Sequence, residues 1–302
     1  MDNNLAGEPT MTPSSITQFP LEPARDLVMP HAWDLGFLIF AGSVLALFIL
    51  FGLWQLAVKR EPLMLFLLIG GLAGEMLEPI CNVLGMAYHP EHGQIVGFTT
   101  LGRHIPLWLV TCYPWYFGAF SYSLIQWDSA GTLTPKRYWS ALATAAFFCF
   151  FIEIFPVRAV LWQYFGPQPL MFAGMPLMWY VVNPTSDIAT AAFLTLAVRQ
   201  RTGWQRWILL ALMPVCIVGF HTGAFAPVYV TENAGWSADA SIVTALLSTI
   251  CCVILLRTLG NMLFAERAER AVATGTAAAA GAARAVAARP PAAVGPSEGL
   301  RT

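Results

Sequence analysis

With 57% hydrophobic and only 11% charged side chains over 302 residues, the chain falls far below the roughly one-quarter charged content of an ordinary soluble domain and reads as an integral membrane protein. A formal net charge of −1 argues against a nucleic-acid partner, and no basic run precedes an N-terminal apolar core as a cleavable signal would require. The cysteines (Cys81, Cys112, Cys149, Cys216, Cys251 and Cys252) all fall in apolar segments, which argues against a disulfide framework or a zinc motif and reads them as small packing residues.

Residues 1–30 mix Pro, Ser, Thr and acidic side chains and read as a disordered N-terminal segment. Seven apolar stretches follow, near 35–57, 62–86, 105–125, 139–157, 169–198, 207–226 and 240–260. Each is close to the roughly 20 residues that cross a hydrocarbon core of about 30 Å. The expected fold is all-α, a seven-helix bundle over 31–266, with an Ala/Arg/Pro-rich tail over 267–302 that cannot build a core. Arg25, Arg103 and Arg158 lie on one side of this topology and the other thirteen Lys and Arg residues on the opposite side, which places the N-terminus outside and the C-terminus in the cytoplasm.

The second stretch carries Glu75, Glu78 and Asn82 at i, i+3 and i+7, one stripe of a helix, with Pro79 positioned to kink it. Gly70 and Gly74 below them form a small-xxx-small pair for close helix packing. The loop after it holds His89, His92, Arg103 and His104. The histidine spacing offers no third metal ligand, so no metal is expected, and Arg103 with His104 is read as a lid or counter-ion pair. Glu153 interrupts the fourth stretch, Asn183 and Asp187 the fifth, and His221 the sixth. At 1.5 Å per residue, Glu75, Glu78, Glu153, Asp187 and His221 all lie about 17–24 Å above the cytoplasmic end, in one layer. Carboxylates at that depth are costly and are kept for function or as interhelical glue. Pro176 and Pro184 are expected to break the fifth helix so that Asn183, Ser186 and Asp187 line a pocket. Most tryptophans are read as interfacial anchors, with Trp115, Tyr116 and Trp179 as candidates to face the polar layer.

The only lysines, Lys59 and Lys136, are in loops, which excludes a retinal Schiff base, and neither a diphosphate-binding Asp motif nor a nucleotide loop is present. What remains among enzymatic readings is a cofactor-free acid–base pocket. The run Glu78-Pro79-Ile80-Cys81-Asn82, the Gly-x-x-Ile-Pro of Gly102–Pro106, the later acidic Glu153 and the FAGMPLMWYVVN segment ending at Asn183 resemble the AveC family of membrane spirocyclases and dehydratases of actinobacterial polyketide metabolism. The resemblance covers roughly residues 60–195. It implies a multi-pass protein of the bacterial cytoplasmic membrane that closes spiroketals or removes water from a lipophilic substrate entering from the bilayer. Glu78 would be the acid, Glu75 or Asp187 the base, with Glu153 a further candidate. Asn82, Asn183, His221, Arg103, His104, Trp115, Tyr116 and Trp179 would bind or orient substrate. Two other readings use the same residues: a terpene cyclase, isomerase or hydratase, and a proton-coupled carrier of a lipophilic molecule. No internal repeat of the transporter kind is present.

Overall fold

The computed structural model describes residues 22–287; 1–21 and 288–302, the outer parts of the two expected terminal segments, lie outside the described residues. The chain is mainly helical. Helix α1 spans His31–Lys59, α2 Leu63–Gly74, α3 Leu77–Leu84, α4 Leu107–Ser129, α5 Pro135–Arg158, α6 Leu177–Val198, α7 Leu209–Asn233 and α8 Ala238–Ala287. Counting α2 and α3 as one, and joining α7 to the 3-10 turn Gly203–Ile208 before it, six helices among the described residues are long and apolar enough to cross a membrane. The expected seventh, α4, has 23 residues but falls short in apolarity because Tyr113, Tyr116, Tyr122, Gln126 and Asp128 interrupt it. These polar groups have somewhere to go, since α4 packs against α1, α2 and α6.

The break between α2 and α3 follows from Pro79. Its missing N–H would have bonded the Glu75 carbonyl; the Glu78 N–H takes that carbonyl instead, at 3.0 Å, in a tighter turn. Below the break α2 threads between α4 and α7 at backbone distance. A Cβ on Gly71 would lie 2.9 Å from Pro114 Cα, and one on Gly70 would lie 2.9 Å from the Leu209 carbonyl. The small residues therefore serve close packing, as their spacing suggests.

Three two-stranded antiparallel ribbons close one end of the bundle. β1 (Ala87–Tyr88) pairs with β4 (Gln163–Tyr164), β2 (Val96–Thr100) with β3 (Arg103–Pro106), and β5 (Met171–Phe172) with β6 (Met175–Pro176). The β2–β3 turn holds Leu101 and Gly102 at φ of 51° and 68°, the left-handed pair a two-residue hairpin requires. The segment before α1 joins this cap: the Met29 N–H bonds the His92 carbonyl at 2.8 Å and the Met29 side chain is buried, so the folded region begins earlier than residue 31. At the opposite end Arg199 makes a two-pronged ion pair with Asp128 at 2.8 and 2.9 Å, and Arg206 reaches Glu61 at 3.2 Å.

Two expectations about helix limits are corrected. The fifth apolar stretch does not begin as helix at 169: residues 171–176 form the β5–β6 ribbon and Pro176 is the N-cap of α6, so only Pro184 lies inside that helix. The last helix does not stop near 260 but continues through the Ala/Arg segment to Ala287, consistent with the high helix propensity of Ala and Arg.

Candidate active site

Beneath the ribbon cap the helices line a partly open chamber. Its acidic groups are Glu78 from α3 and Glu153 from α5, facing Asn183 on α6, His221 on α7 and His89 from the loop after β1. Tyr113, Tyr116, Trp108, Trp162, Tyr164 and Trp179 supply most of the remaining wall.

Glu78 is held by three donors. Asn82 donates from Nδ2 to Oε1 at 2.8 Å, Tyr113 donates its hydroxyl to Oε2 at 3.0 Å, and His89 Nε2 lies 2.9 Å from Oε1. The helical i, i+4 spacing places Asn82, and the β1–β4 ribbon places His89. His89 Nδ1 sits 3.1 Å from the Leu161 carbonyl, which can only accept, so Nδ1 carries a proton. The contact between Nε2 and Glu78 is then a single shared proton: a neutral imidazole accepts it from the carboxylic acid, or an imidazolium donates it to the carboxylate. The side chain of Glu78 keeps 15% exposure while His89 keeps 2%, so the carboxylate presents the couple to the chamber.

A second polar chain runs along the facing wall. Asn183 donates from Nδ2 to Glu153 Oε1 at 2.7 Å and accepts from His221 Nε2 at 3.0 Å. With its proton on Nε2, the neutral His221 ring has a bare Nδ1, which lies 3.7 Å from Cys81 Sγ. The Tyr229 hydroxyl donates to the same sulfur at 3.4 Å. Cys81 packs in the buried core, as its apolar neighbourhood suggests, and its sulfur in addition meets polar partners at the chamber wall.

The aromatic lining has its own order. Trp108 and Trp162 stack at 5.8 Å with 18° between planes, His89 packs edge-on to both, and Trp179 lies against Tyr164 and His221. These tryptophans are interior, whereas Trp139 and Trp207 are exposed as interfacial anchors should be. The indole N–H groups of Trp108 and Trp179 are buried without a partner and are available to a substrate oxygen. Burial, reinforced by the nearby Glu153 carboxylate, holds the Tyr164 phenol well above its usual range, so it stays protonated.

Of the residues singled out in the sequence, Glu78, Glu153, Asn183, His221, Tyr116 and Trp179 line the chamber, and Asn82 is buried behind Glu78. Glu75 and Asp187 do not line it. Glu75, three residues before Glu78, is buried and its carboxyl oxygens have no hydrogen-bond partner; Asp187 is fully buried beside the Tyr116 hydroxyl. Arg103 and His104 are not a lid. They belong to β3, where Arg103 covers the Tyr88 ring at 5.7 Å and His104 meets Thr99 of β2 at 2.7 Å. Trp115 faces an outer groove instead of the chamber. His89 and Tyr113 were not assigned to the site from sequence; a histidine in a loop and a tyrosine in an aromatic-rich helix carry no spacing signal that would place them on Glu78. Comparison with known protein families, characterised proteins and solved structures gives no match.

Proposed function

We propose that this chain is a membrane-embedded acid–base enzyme of the AveC kind, acting on a lipophilic polyketide-like or related substrate by spiroketal closure or dehydration. The observation that carries the reading is the 2.9 Å contact of His89 Nε2 with Glu78 Oε1 at the wall of a chamber whose other side holds Glu153. Dehydration and spiroketal closure each need a proton delivered to a departing hydroxyl and one removed from an adjacent carbon or an attacking hydroxyl. The Glu78–His89 couple serves as donor and Glu153, steadied by Asn183 and His221, as acceptor; the oxygen leaves as water and the proton count balances. Glu75 and Asp187, lacking access to the chamber, drop out as bases.

The same reading takes α4 as a seventh membrane span, supported by its course from the ribbon cap to Asp128 at the opposite end. The three-to-thirteen distribution of Lys and Arg favours the cap side as external and places the protein in a bacterial cytoplasmic membrane. A second reading, an isoprenoid cyclase or isomerase, draws support from the aromatic wall, which can steady a developing cation.

Metabolites of a deletion strain test the proposal. The enzyme reading expects an accumulated precursor that differs from the missing product by one water or by isomerism alone, with wild-type protein restoring conversion and Glu78→Gln protein failing to. A carrier would instead leave the set of products unchanged and alter only where they are found.

A further inference from the structure

Outside the chamber, a second and larger hollow lies along the flank of the bundle. α1 packs on α2 and α4, and α5 on α6 and α8, but α1 and α5 do not pack closely on each other. The gap leaves a groove with about 1580 Å³ of empty space, floored by α4. Its residues run from Trp33 to Phe48 on α1 and from Phe148 to Phe155 on α5, with Ala119 in the floor. No charged side chain is among them. Along α1 this is about 22 Å of helix, most of the hydrocarbon thickness of a bilayer. Phe40, Phe148, Phe151 and Phe155 on its walls are exposed, and nothing stands within 4 Å of where a Cβ on Gly36 would lie.

Two residues, Tyr116 and Ile152, belong to both the groove and the chamber. A largely apolar, uncharged trough of bilayer length thus meets, through one wall, a chamber equipped with carboxyl, imidazole and unpartnered indole N–H groups. From this continuity we infer that the groove is a lateral portal holding the single long hydrocarbon tail of an amphiphilic substrate, whose oxygenated end passes Tyr116 and Ile152 to reach Glu78. The inference rests on the acid–base reading above and adds the substrate's shape: one polar reacting end, one extended apolar tail, delivered from within the membrane. Along most of its length the trough offers the tail only apolar side chains, its polar atoms being confined to Trp33, Trp115 and Tyr116. Selectivity for the reacting end belongs to the chamber.

Photolabelling of the full-length protein in phosphatidylcholine/phosphatidylglycerol vesicles tests this. The probes are two long-chain fatty alcohols, one carrying a diazirine at the tail end and one beside the hydroxyl. The tail probe is expected to mark α1 and α5 around Phe40 and Phe151, and the hydroxyl-side probe the chamber wall around Trp108 and Tyr164. Labelling by the tail probe spread equally over the exposed face of α8 would mean bulk lipid only and overturn the portal. Ala119→Trp, which fills the floor without touching the chamber, should lower hydroxyl-side labelling of the chamber by about tenfold, the equivalent of lost contact for two methylenes. A short-chain water-soluble alcohol bearing the same diazirine should still label the chamber of that variant, which separates a blocked portal from a misfolded protein. Unchanged long-chain labelling in Ala119→Trp would overturn the portal. The acid–base reading fails separately, if Glu78→Gln retains turnover while the groove is labelled as expected.

Discussion

Glu78 and Glu75 are three residues apart in one helical stripe, yet their surroundings give them different parts. Glu78 meets His89, Tyr113 and Asn82, and Glu75 meets no donor at all. A paired substitution experiment follows. His89→Phe keeps an aromatic ring edge-on to Trp108 and Trp162 but removes the shared proton, and turnover should fall by about 10²-fold or more, the scale of a lost acid–base group. Glu75→Gln should leave turnover within about threefold and folding intact or improved, because it removes an isolated buried carboxyl without touching the chamber. Turnover measured in membranes at matched protein levels checks both; a Glu75→Gln loss as large as that of His89→Phe would return Glu75 to the mechanism. Much of the site was legible in the sequence because an acidic or amide group in an apolar helix stands out by cost alone, which found Glu78, Glu153, Asn183 and His221. Direction was not legible. The break between α2 and α3 falls between Glu75 and Glu78, of which only Glu78 lines the chamber, and His89 reaches Glu78 only through a strand pairing that hydropathy does not encode.

At the scale of elements, the bundle depends on α2 approaching α4 and α7 closely enough for α3 to present Glu78 to the chamber. Gly71→Ala would push a methyl group against the Pro114 backbone, which cannot swing aside as a side chain could. Overpacking of this kind costs about 1–3 kcal/mol. The thermal midpoint in detergent should therefore drop measurably for Gly71→Ala, while Gly36→Ala, with open space around the new Cβ, should leave it unchanged. Equal midpoints for the two variants would refute the threading of α2. The helices themselves were read well from apolar runs of the right length. The ribbons were not, because stretches of two to five residues such as Gln163–Tyr164 and Val96–Thr100 carry too short a pattern to separate from loop, and 169–176 looked like a continuation of the apolar segment it precedes.

For the whole molecule, the ion pairs Asp128–Arg199 and Glu61–Arg206 mark one end and the ribbon cap the other, and the proposed orientation, drawn from the Lys/Arg asymmetry, puts the cap outside. Single cysteines placed at Leu101 and Thr132 test this orientation, since both positions are exposed, while five of the six native cysteines are buried and Cys251 is half-buried. In intact cells an impermeant thiol reagent should label position 101 and spare 132; the reverse pattern would invert the topology. The central claim is that the chamber performs chemistry through Glu78 instead of moving its ligand across the bilayer. Its most direct test gives the compound accumulated by a deletion strain to purified protein reconstituted in lipid vesicles, as wild type and as Glu78→Gln. The account predicts conversion by the wild type to a product that is isomeric or lighter by one water, and a rate lower by about 10²-fold or more in the variant at equal insertion. Equal conversion by both proteins, or passage of the compound into the vesicles unchanged, would contradict it.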